Sequence, residues 1–233
     1  MTLHTDAPRQ ASSGHQKHCV LLHGWNSPGW FLQDWKEALR ALPQSENWRF
    51  WLPDYPTHRY SFVRAATEVR RALLSQEISW DDVILVGYSM GGLVARQMAR
   101  DGFPCRELVT ICSPHEGVAR WVPLPTIGPQ SLWKSSTQLR ALNRDARDEK
   151  LRAQAHFFAV TYHDRLGNHR HDGLVPESSA RGEHLGIVAE RRTIHLEYGR
   201  DIARLIPVGP HVRGMDPQLM NPVLETCAQL FAV

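Results

Sequence analysis

The sequence predicts an α/β protein in which a mostly parallel central sheet is covered by helices on both faces. Short apolar runs alternate with helical patterns along residues 17–113, an order typical of parallel strands joined by helical crossovers. These apolar runs are continuous, as expected of strands buried on both sides. The chain of 233 residues is also long enough to form a hydrophobic core without disulfides or metal.

Each element follows from its local pattern. Continuous apolar runs predict strands at 17–25, 48–56, 82–88, 105–113, 155–162 and 202–209. The first two helices carry apolar stripes formed by Phe31, Trp35, Ala38 and Leu42, and by Phe62, Ala66, Val69 and Leu73. Ser61 is placed to cap the second helix. Further helices are predicted at 90–100 and at 217–231, the latter with Val223, Cys227 and Leu230 on one face.

Residues 17–233 are predicted to form a single domain, preceded by a flexible arm at residues 1–16 that is rich in polar residues and proline. The alternation of strands and helices breaks between Ser113 and Gln154. There, an apolar stretch rich in proline and glycine precedes a charged helical pattern. A segment of this length inside a compact domain is usually functional. We therefore predict a cap or lid insertion at about residues 114–154.

Charge and composition argue against several classes of partner. The formal net charge is only +3 and the basic residues are dispersed, so neither a nucleic acid nor an acidic membrane is predicted as a partner. We see no secretory signal at the N-terminus, and no apolar stretch approaches the ~20 residues of a membrane span. The four cysteines are far apart, which suits a reducing compartment. These features predict a cytoplasmic protein without a stable membrane anchor.

One serine lies in an unusual context. Gly87–Tyr88–Ser89–Met90–Gly91 fits the pattern G-x-S-x-G, with a predicted strand before it and a predicted helix after it. A sharp turn at this position would project Ser89 from the edge of the sheet, and side chains at positions 87 and 91 would obstruct the turn. The following helix would place its positive N-terminal end beside the serine. This arrangement predicts a nucleophile at a site that receives negative charge.

A serine hydroxyl is a weak nucleophile unless a histidine accepts its proton and a carboxylate orients that histidine. Asp164 and Asp172 are the candidates for the acid, and His184, His195 and His211 are those for the base. The same region, residues 163–172, is rich in histidine and aspartate, but it lies in a predicted loop without the regular spacing of a metal motif. No metal and no cofactor are predicted.

Four motifs in order, "LLHGW", "GYSMGG", "CSPHEG" and "HDGLVP", are followed by a late histidine. With these motifs, the chain resembles the α/β-hydrolase fold over most of residues 17–231, and within that fold the bacterial lipase and esterase-like serine hydrolases with a short HG-type loop. The resemblance implies hydrolysis of carboxylic esters through a covalent acyl-enzyme. It favours Ser89, Asp172 and His211 as the catalytic triad, with Asp164 and His195 as the main rivals.

The resemblance also implies an oxyanion hole. Its donors would be the backbone N–H groups of Trp25, in the loop after the first strand, and of Met90, directly after the nucleophile. His23 is expected to orient this loop by hydrogen bonding rather than to act as a catalyst. The segment at 181–201 is longer than compact members of the fold need.

The substrate pocket is predicted from the same motifs and from the insertion. Candidate lining residues are His23, Tyr88, His115, Trp121 and Leu124. The apolar residues of the insertion would cover either the core or a pocket beside Ser89, and an apolar roof favours a small-molecule ester with an apolar acyl group. The same triad could instead serve a thioesterase, an amidase or an acyltransferase, and a non-catalytic binding protein is a further alternative.

Overall fold

The computed structural model describes residues 1–5, 16–118, 127–164, 166–197, 209–213 and 215–233. Within these ranges, eight strands form one sheet in the order β1-β3-β2-β4-β5-β6-β7, and β8 pairs with β6. The strands are β1 (Thr2–Thr5), β2 (Lys17–Leu22), β3 (Trp48–Asp54), β4 (Asp82–Tyr88), β5 (Glu107–Ile111), β6 (Ala155–Asp164), β7 (Gly167–His169) and β8 (Glu190–Glu197).

The sheet is mostly parallel, which confirms the predicted class. Strand β2 pairs in parallel with β3 and β4, and the parallel pairing continues through β5, β6 and β8. Only β1 and β7 pair antiparallel with a neighbour among the described strands. Leu22, which ends β2, lies opposite Gly87 near the end of β4. The loops that follow these strands therefore start side by side at the carboxyl edge, where open α/β sheets bind ligands.

Helices cover both faces of the sheet. They are α1 (Gln33–Arg40), α2 (Phe62–Leu74), α3 (Met90–Arg100), α4 (Ile127–Gln130), α5 (Thr137–Asn143), α6 (Ala146–Arg152), α7 (Glu177–Arg181), α8 (Gly209–Arg213) and α9 (Asn221–Phe231). Val20 and Leu22 of β2 join the core formed with α2 and α3, whereas Cys19 and Leu21 join the core formed with α1 and α9. None of the helices in the described ranges is long and apolar enough to cross a lipid bilayer.

The first two helices compare differently with their predicted patterns. In α2 all four residues of the predicted stripe are buried, and the Ser61 hydroxyl accepts a hydrogen bond from the Arg64 N–H at 3.3 Å. Near α1, however, Leu32, Trp35 and Leu39 are buried, while Phe31 is 41% exposed. A 3₁₀ turn at Gly29–Leu32 precedes α1. A 3₁₀ turn has about 3.0 residues instead of 3.6. Trp35 is therefore buried as predicted, while Leu32 and Leu39 are buried in place of Phe31 and Ala38.

Two edges of the sheet differ from the sequence interpretation. Residues Thr2–Thr5, predicted as part of a flexible arm, pair with β3 as strand β1. Pairing of this kind uses main-chain groups of an open sheet edge and needs no apolar side chains, so the polar composition gave no sign of it. The strand predicted at 202–209 lies almost entirely outside the described residues, and Gly209 begins α8. Strand β8, at Glu190–Glu197, lies beside β6.

The predicted insertion contains α4, α5 and α6. The charged pattern forms two helices rather than one, because α5 ends at Asn143 and the Asp145 side chain caps α6 by accepting the Arg147 N–H at 2.9 Å. Arg96 in α3 and Asp148 in α6 are both fully buried, and they share hydrogen bonds of 2.9 and 2.6 Å. This ion pair attaches α6 to the main body. The role of the insertion as a cap stays a prediction.

Candidate active site

Ser89 lies in a tight turn between β4 and α3. Its backbone dihedral angles are φ 53° and ψ −123°, which non-glycine residues rarely adopt. The flanking glycines are required by close packing. A Cβ atom on Gly91 would lie 2.0 Å from the Leu22 carbonyl oxygen, and one on Gly87 would lie 2.5 Å from the Gly92 Cα atom. Only glycine at these two positions lets the turn form against β2 and α3.

Ser89, His211 and Asp172 form a continuous chain of hydrogen bonds. The distance from His211 Nε2 to Ser89 Oγ is 2.9 Å, and that from His211 Nδ1 to Asp172 Oδ2 is 2.7 Å. All three side chains are buried, and Asp172 completely so. Three segments far apart in the sequence bring these groups together: the β4–α3 turn, the loop after β7, and helix α8. The geometry is that of a nucleophile, a base and an orienting acid.

The two oxygens of Asp172 have different partners. Oδ1 accepts the backbone N–H groups of Leu174 at 3.0 Å and Val175 at 2.7 Å. Oδ2 is bonded to His211. Gly173 lies between Asp172 and Leu174 in the sequence. Its backbone φ is 95°, a conformation that suits glycine. The turn thus fixes the carboxylate and points one oxygen toward the imidazole.

Tyr88 holds the base in place. Its hydroxyl donates to the backbone carbonyl of His211 at 2.7 Å. Burial raises the pKa of Tyr88 well above its ordinary value, so the hydroxyl remains a proton donor at neutral pH. Since Tyr88 directly precedes Ser89, the same turn supports both the nucleophile and the histidine.

The rival candidates are engaged elsewhere. Asp164 Oδ1 accepts hydrogen bonds from His169 Nε2 at 2.9 Å and from the Leu166 N–H at 2.8 Å. The Nδ1 atom of His195 pairs with the Thr161 hydroxyl. His184 has a largely exposed side chain near Glu116. In the described part of the chain, His211 is the histidine that bonds to Ser89.

The predicted oxyanion donors are adjacent to the serine. Met90 is the first residue of α3, so its N–H belongs to the first turn, where helices leave N–H groups without intrahelical partners. The loop that contains Trp25 approaches closely, since a Cβ atom on Gly24 would lie 2.9 Å from Ser89 Cβ. Trp25 and Ser89 line the same cavity. The role of the Trp25 and Met90 N–H groups in an oxyanion hole stays a prediction.

A largely apolar cavity opens beside Ser89 and His211. Its polar lining comes mainly from the loop after β2 and from the catalytic candidates. Its apolar lining consists of Trp25, Phe31, Val118, Leu132, Leu174, Val212 and Met215. Such a surface suits the apolar part of a small molecule.

His115 is not at the rim of the cavity, contrary to its prediction as a lining residue. It is fully buried and stacks on Phe157, with ring centroids 3.7 Å apart. Its Nδ1 atom lies 3.2 Å from Arg96 Nη1, and its Nε2 atom lies 2.9 Å from the Thr110 hydroxyl. Burial, followed by the charge of Arg96, holds its pKa well below the ordinary value. The His115 side chain therefore anchors the turn at 113–117 to the protein core.

His23 also differs from its prediction as a pocket residue, because its ring is fully buried behind the loop. It stacks on Tyr55 at 3.9 Å, and its Nδ1 atom donates to the Gly24 carbonyl at 3.0 Å. Burial lowers its pKa. These contacts agree with the expected loop-orienting role. Of the other pocket candidates, Tyr88 lines the cavity, and Trp121 and Leu124 lie outside the described residues.

Several lining residues were missed from the sequence. Leu174 lies two residues after Asp172 and Val212 directly follows His211. Their closeness in sequence to the candidate acid and base could have indicated that they line the cavity. Phe31 and Met215 had no such signal, because their positions depend on the 3₁₀ turn before α1 and on the segment after α8. Ser27, also at the cavity, lies only two residues beyond Trp25.

One group of possible metal-ligating atoms converges in the described ranges. Atoms of Cys112, Asp172 and His211 lie within 4.8 Å of one another. Burial raises the pKa of the Cys112 thiol well above its ordinary value, whereas metal binding requires a thiolate. Asp172 and His211 are also bonded to each other. The chemistry of these donors therefore suits a proton relay better than a metal site.

Comparison with known proteins gives a consistent result. The sequence model of the alpha/beta hydrolase family matches residues 19–220. A pimeloyl-[acyl-carrier protein] methyl ester esterase from Vibrio cholerae is 37% identical over 90 residues, which are 37% of this chain and 32% of that protein. The chain thus matches about a third of the length of this curated relative.

Solved structures share the fold at low sequence identity. The mature lipase BlEst2 of Bacillus licheniformis superposes with a TM-score of 0.61 at 17% identity, covering 97% of this chain and 98% of that chain. The propeptide form of the same lipase superposes with a TM-score of 0.64 at 15% identity, covering 100% of this chain and 54% of that chain. The esterase EaEST of Exiguobacterium antarcticum superposes with a TM-score of 0.56 at 14% identity, covering 99% of this chain and 95% of that chain.

Proposed function

Because the chain belongs to the alpha/beta hydrolase family, we propose that it is a serine hydrolase that cleaves carboxylic esters. The observation that carries this proposal is the hydrogen-bonded chain from Ser89 through His211 to Asp172. A buried serine bonded to an imidazole, which is bonded in turn to a buried carboxylate, is the arrangement that makes a hydroxyl nucleophilic at neutral pH. The relatives named as lipases and esterases support the same reaction class.

The reaction proceeds in two halves. In the first, Ser89 Oγ attacks the ester carbonyl carbon while His211 Nε2 accepts the hydroxyl proton. The resulting imidazolium is stabilised by Asp172 through Nδ1–H, and it then protonates the leaving alcohol. In the second half, His211 takes a proton from water, and the hydroxide attacks the acyl-enzyme. The acid product leaves and the proton returns to Ser89.

Negative charge develops on the carbonyl oxygen in both halves. The backbone N–H groups of Met90 and Trp25 are the proposed donors to this oxygen. Met90 lies at the N-terminus of α3, where the helix dipole also favours negative charge. Loss of one such donor in a serine hydrolase costs roughly 3–4 kcal/mol of transition-state stabilisation.

The substrate proposed for this site is a small-molecule ester with an apolar acyl group. Support comes from the lining of the cavity beside Ser89, which is mostly apolar, as the lining of small-molecule sites usually is. Leu174 and Val212 line this cavity next to the proposed acid and base. Their apolar side chains support an apolar acyl group as the part of the substrate nearest to Ser89.

The test is hydrolysis of p-nitrophenyl esters from acetyl to palmitoyl, with Ser89→Ala as the blank for unspecific hydrolysis. We expect ester cleavage by the wild type, with kcat/KM higher for butyryl and longer chains than for acetyl, because each added methylene buries apolar surface worth about 0.8 kcal/mol. A preference for acetyl would contradict the apolar acyl site. Absence of cleavage across the series, with turnover of thioesters or amides, would replace the esterase proposal by one of those activities.

A further inference from the structure

The carbonyl group of Gly24 has two side-chain partners. The Ser27 hydroxyl donates to it at 2.9 Å, and His23 Nδ1 donates to it at 3.0 Å. Both side chains are buried, so water does not replace either bond freely. A carbonyl that accepts two buried hydrogen bonds has both lone pairs engaged, and its direction is therefore strongly defined.

The direction of this carbonyl defines the direction of the next N–H. The peptide bond between Gly24 and Trp25 is trans, and a trans peptide is planar, with its C=O and N–H on opposite sides. Fixing the Gly24 oxygen toward Ser27 and His23 therefore fixes the Trp25 N–H in the opposite direction. A rotated peptide would break both hydrogen bonds at once.

The other side of Trp25 is also held. The backbone N–H of Asn26 donates to the Thr57 hydroxyl at 3.1 Å, and the Asn26 side chain pairs with His58 at 2.9 Å. Asn26 has a φ of 55°, which asparagine tolerates better than most residues. Trp25 thus lies between two fixed peptide groups, in a loop whose Gly24 packs against Ser89.

From these contacts we infer that Ser27 is a positioning residue of the oxyanion hole: together with His23, it holds the Gly24 carbonyl so that the Trp25 N–H keeps its direction during catalysis. This inference rests on the proposed esterase function. Ser27 is the member of the pair that lines the cavity, whereas His23 also packs against Tyr55. The Ser27 hydroxyl donates to the Gly24 carbonyl, so Ser27 acts through the peptide rather than on the substrate.

The test is the steady-state kinetics of Ser27→Ala with p-nitrophenyl butyrate. We expect kcat to fall about tenfold, the effect of one lost hydrogen bond of ordinary strength, while KM changes little. The affinity for a boronic acid, which places an oxygen of its tetrahedral serine adduct in the oxyanion hole, should fall by a similar factor. A structural disturbance of the cavity would instead raise KM.

Matched variants separate positioning from packing. Ser27→Thr keeps the hydroxyl and should retain most of kcat. Valine has nearly the same shape as threonine but no hydroxyl, so Ser27→Val should lower kcat as much as Ser27→Ala does. Ser45→Ala is the control, because Ser45 is a buried serine that also donates to main-chain carbonyls, those of Arg40 and Leu42. It should leave kcat unchanged.

Each outcome is distinguishable from failure of the proposed function. If the wild type hydrolyses esters and Ser27→Ala has an unchanged kcat and boronic acid affinity, the positioning role is wrong while the esterase function stands. Equal kcat for Ser27→Thr and Ser27→Val would also overturn it. If the wild type neither cleaves the ester nor binds the boronic acid, the proposed function itself fails.

Discussion

Ser89 has a backbone conformation that costs free energy, of the order of 1–3 kcal/mol for such a residue. The surrounding contacts maintain it. Its N–H donates to the Ile111 carbonyl at 2.8 Å, and its carbonyl accepts the Gly92 N–H at 3.1 Å. The glycines on either side permit no larger residue. This concentration of constraints around one hydroxyl is typical of a functional turn rather than an ordinary connection.

Asp172 offers the sharpest test at the residue scale. Asp172→Asn keeps the size of the side chain, but its amide no longer stabilises the imidazolium and favours the wrong tautomer of His211. We expect kcat to fall by about 10⁴-fold, as for this substitution in serine hydrolases with the same triad, with little change in fold as seen by circular dichroism.

Asp164→Asn is the matched control, because Asp164 is the other aspartate considered for the acid and pairs with His169 instead. It should retain most of the wild-type kcat. If Asp164→Asn lost activity as severely as Asp172→Asn, or if Asp172→Asn stayed active, the assignment of the acid would be wrong.

At the scale of elements, α3 links the site to the insertion. Its first residues form the turn after Ser89, and Arg96, further along, pairs with Asp148 of α6. Arg96 also donates to Asn143 at 2.8 Å, and Asn143 donates to the His115 carbonyl at 2.8 Å. One buried cation thus connects α3, α5, α6 and the turn after β5.

We expect Asp148→Asn to lower the free energy of unfolding by about 3–5 kcal/mol, because it leaves the Arg96 charge buried without its counter-ion. Urea unfolding followed by tryptophan fluorescence measures this change. Arg147→Met is the control, since Arg147 pairs with Asp145 at the surface, where ion pairs contribute little. Equal stability of Asp148→Asn and the wild type would show that the ion pair does not anchor the insertion.

The sequence predicted elements best where the pattern was local. The stripe of α2 and the Ser61 cap depend on residues close together in the chain, and the glycines around Ser89 belong to one short motif. His115 was misplaced because its environment comes from Arg96 and Phe157, which belong to other elements. Phe31 was misplaced because an apolar stripe alone does not reveal the 3₁₀ turn before α1.

At the scale of the whole molecule, three buried histidines couple stability to pH. They are His18, His23 and His115, and burial lowers the pKa of each. His18, for example, accepts a hydrogen bond from the Trp51 indole at 3.1 Å and donates to the Ser79 carbonyl at 2.9 Å. Both ring nitrogens are used by the neutral form, so a second proton would break a bond.

A lowered folded-state pKa means that the unfolded state binds more protons near pH 6. The contribution of these histidines is therefore complete above their unfolded pKa of about 6.5 and is lost as the pH falls below it. We therefore expect the free energy of unfolding to fall as the pH is lowered from about 7.5 to about 5.5. Urea unfolding at several pH values measures this slope.

His115→Gln should reduce the slope of stability against pH, whatever its effect on absolute stability. His184→Gln should leave the slope unchanged, since the His184 side chain is largely exposed. A wild-type stability that stayed constant or rose on acidification through this range would contradict the account of the buried histidines.

The central claim is that Ser89 is the nucleophile of an ester hydrolase, and the rate of p-nitrophenyl butyrate hydrolysis by Ser89→Ala against that of the wild type tests it most directly. The account predicts that kcat falls by about 10⁶-fold, because losing the nucleophile costs about as much as losing the whole triad. The variant should unfold like the wild type. A folded Ser89→Ala variant that retained the wild-type rate would contradict it.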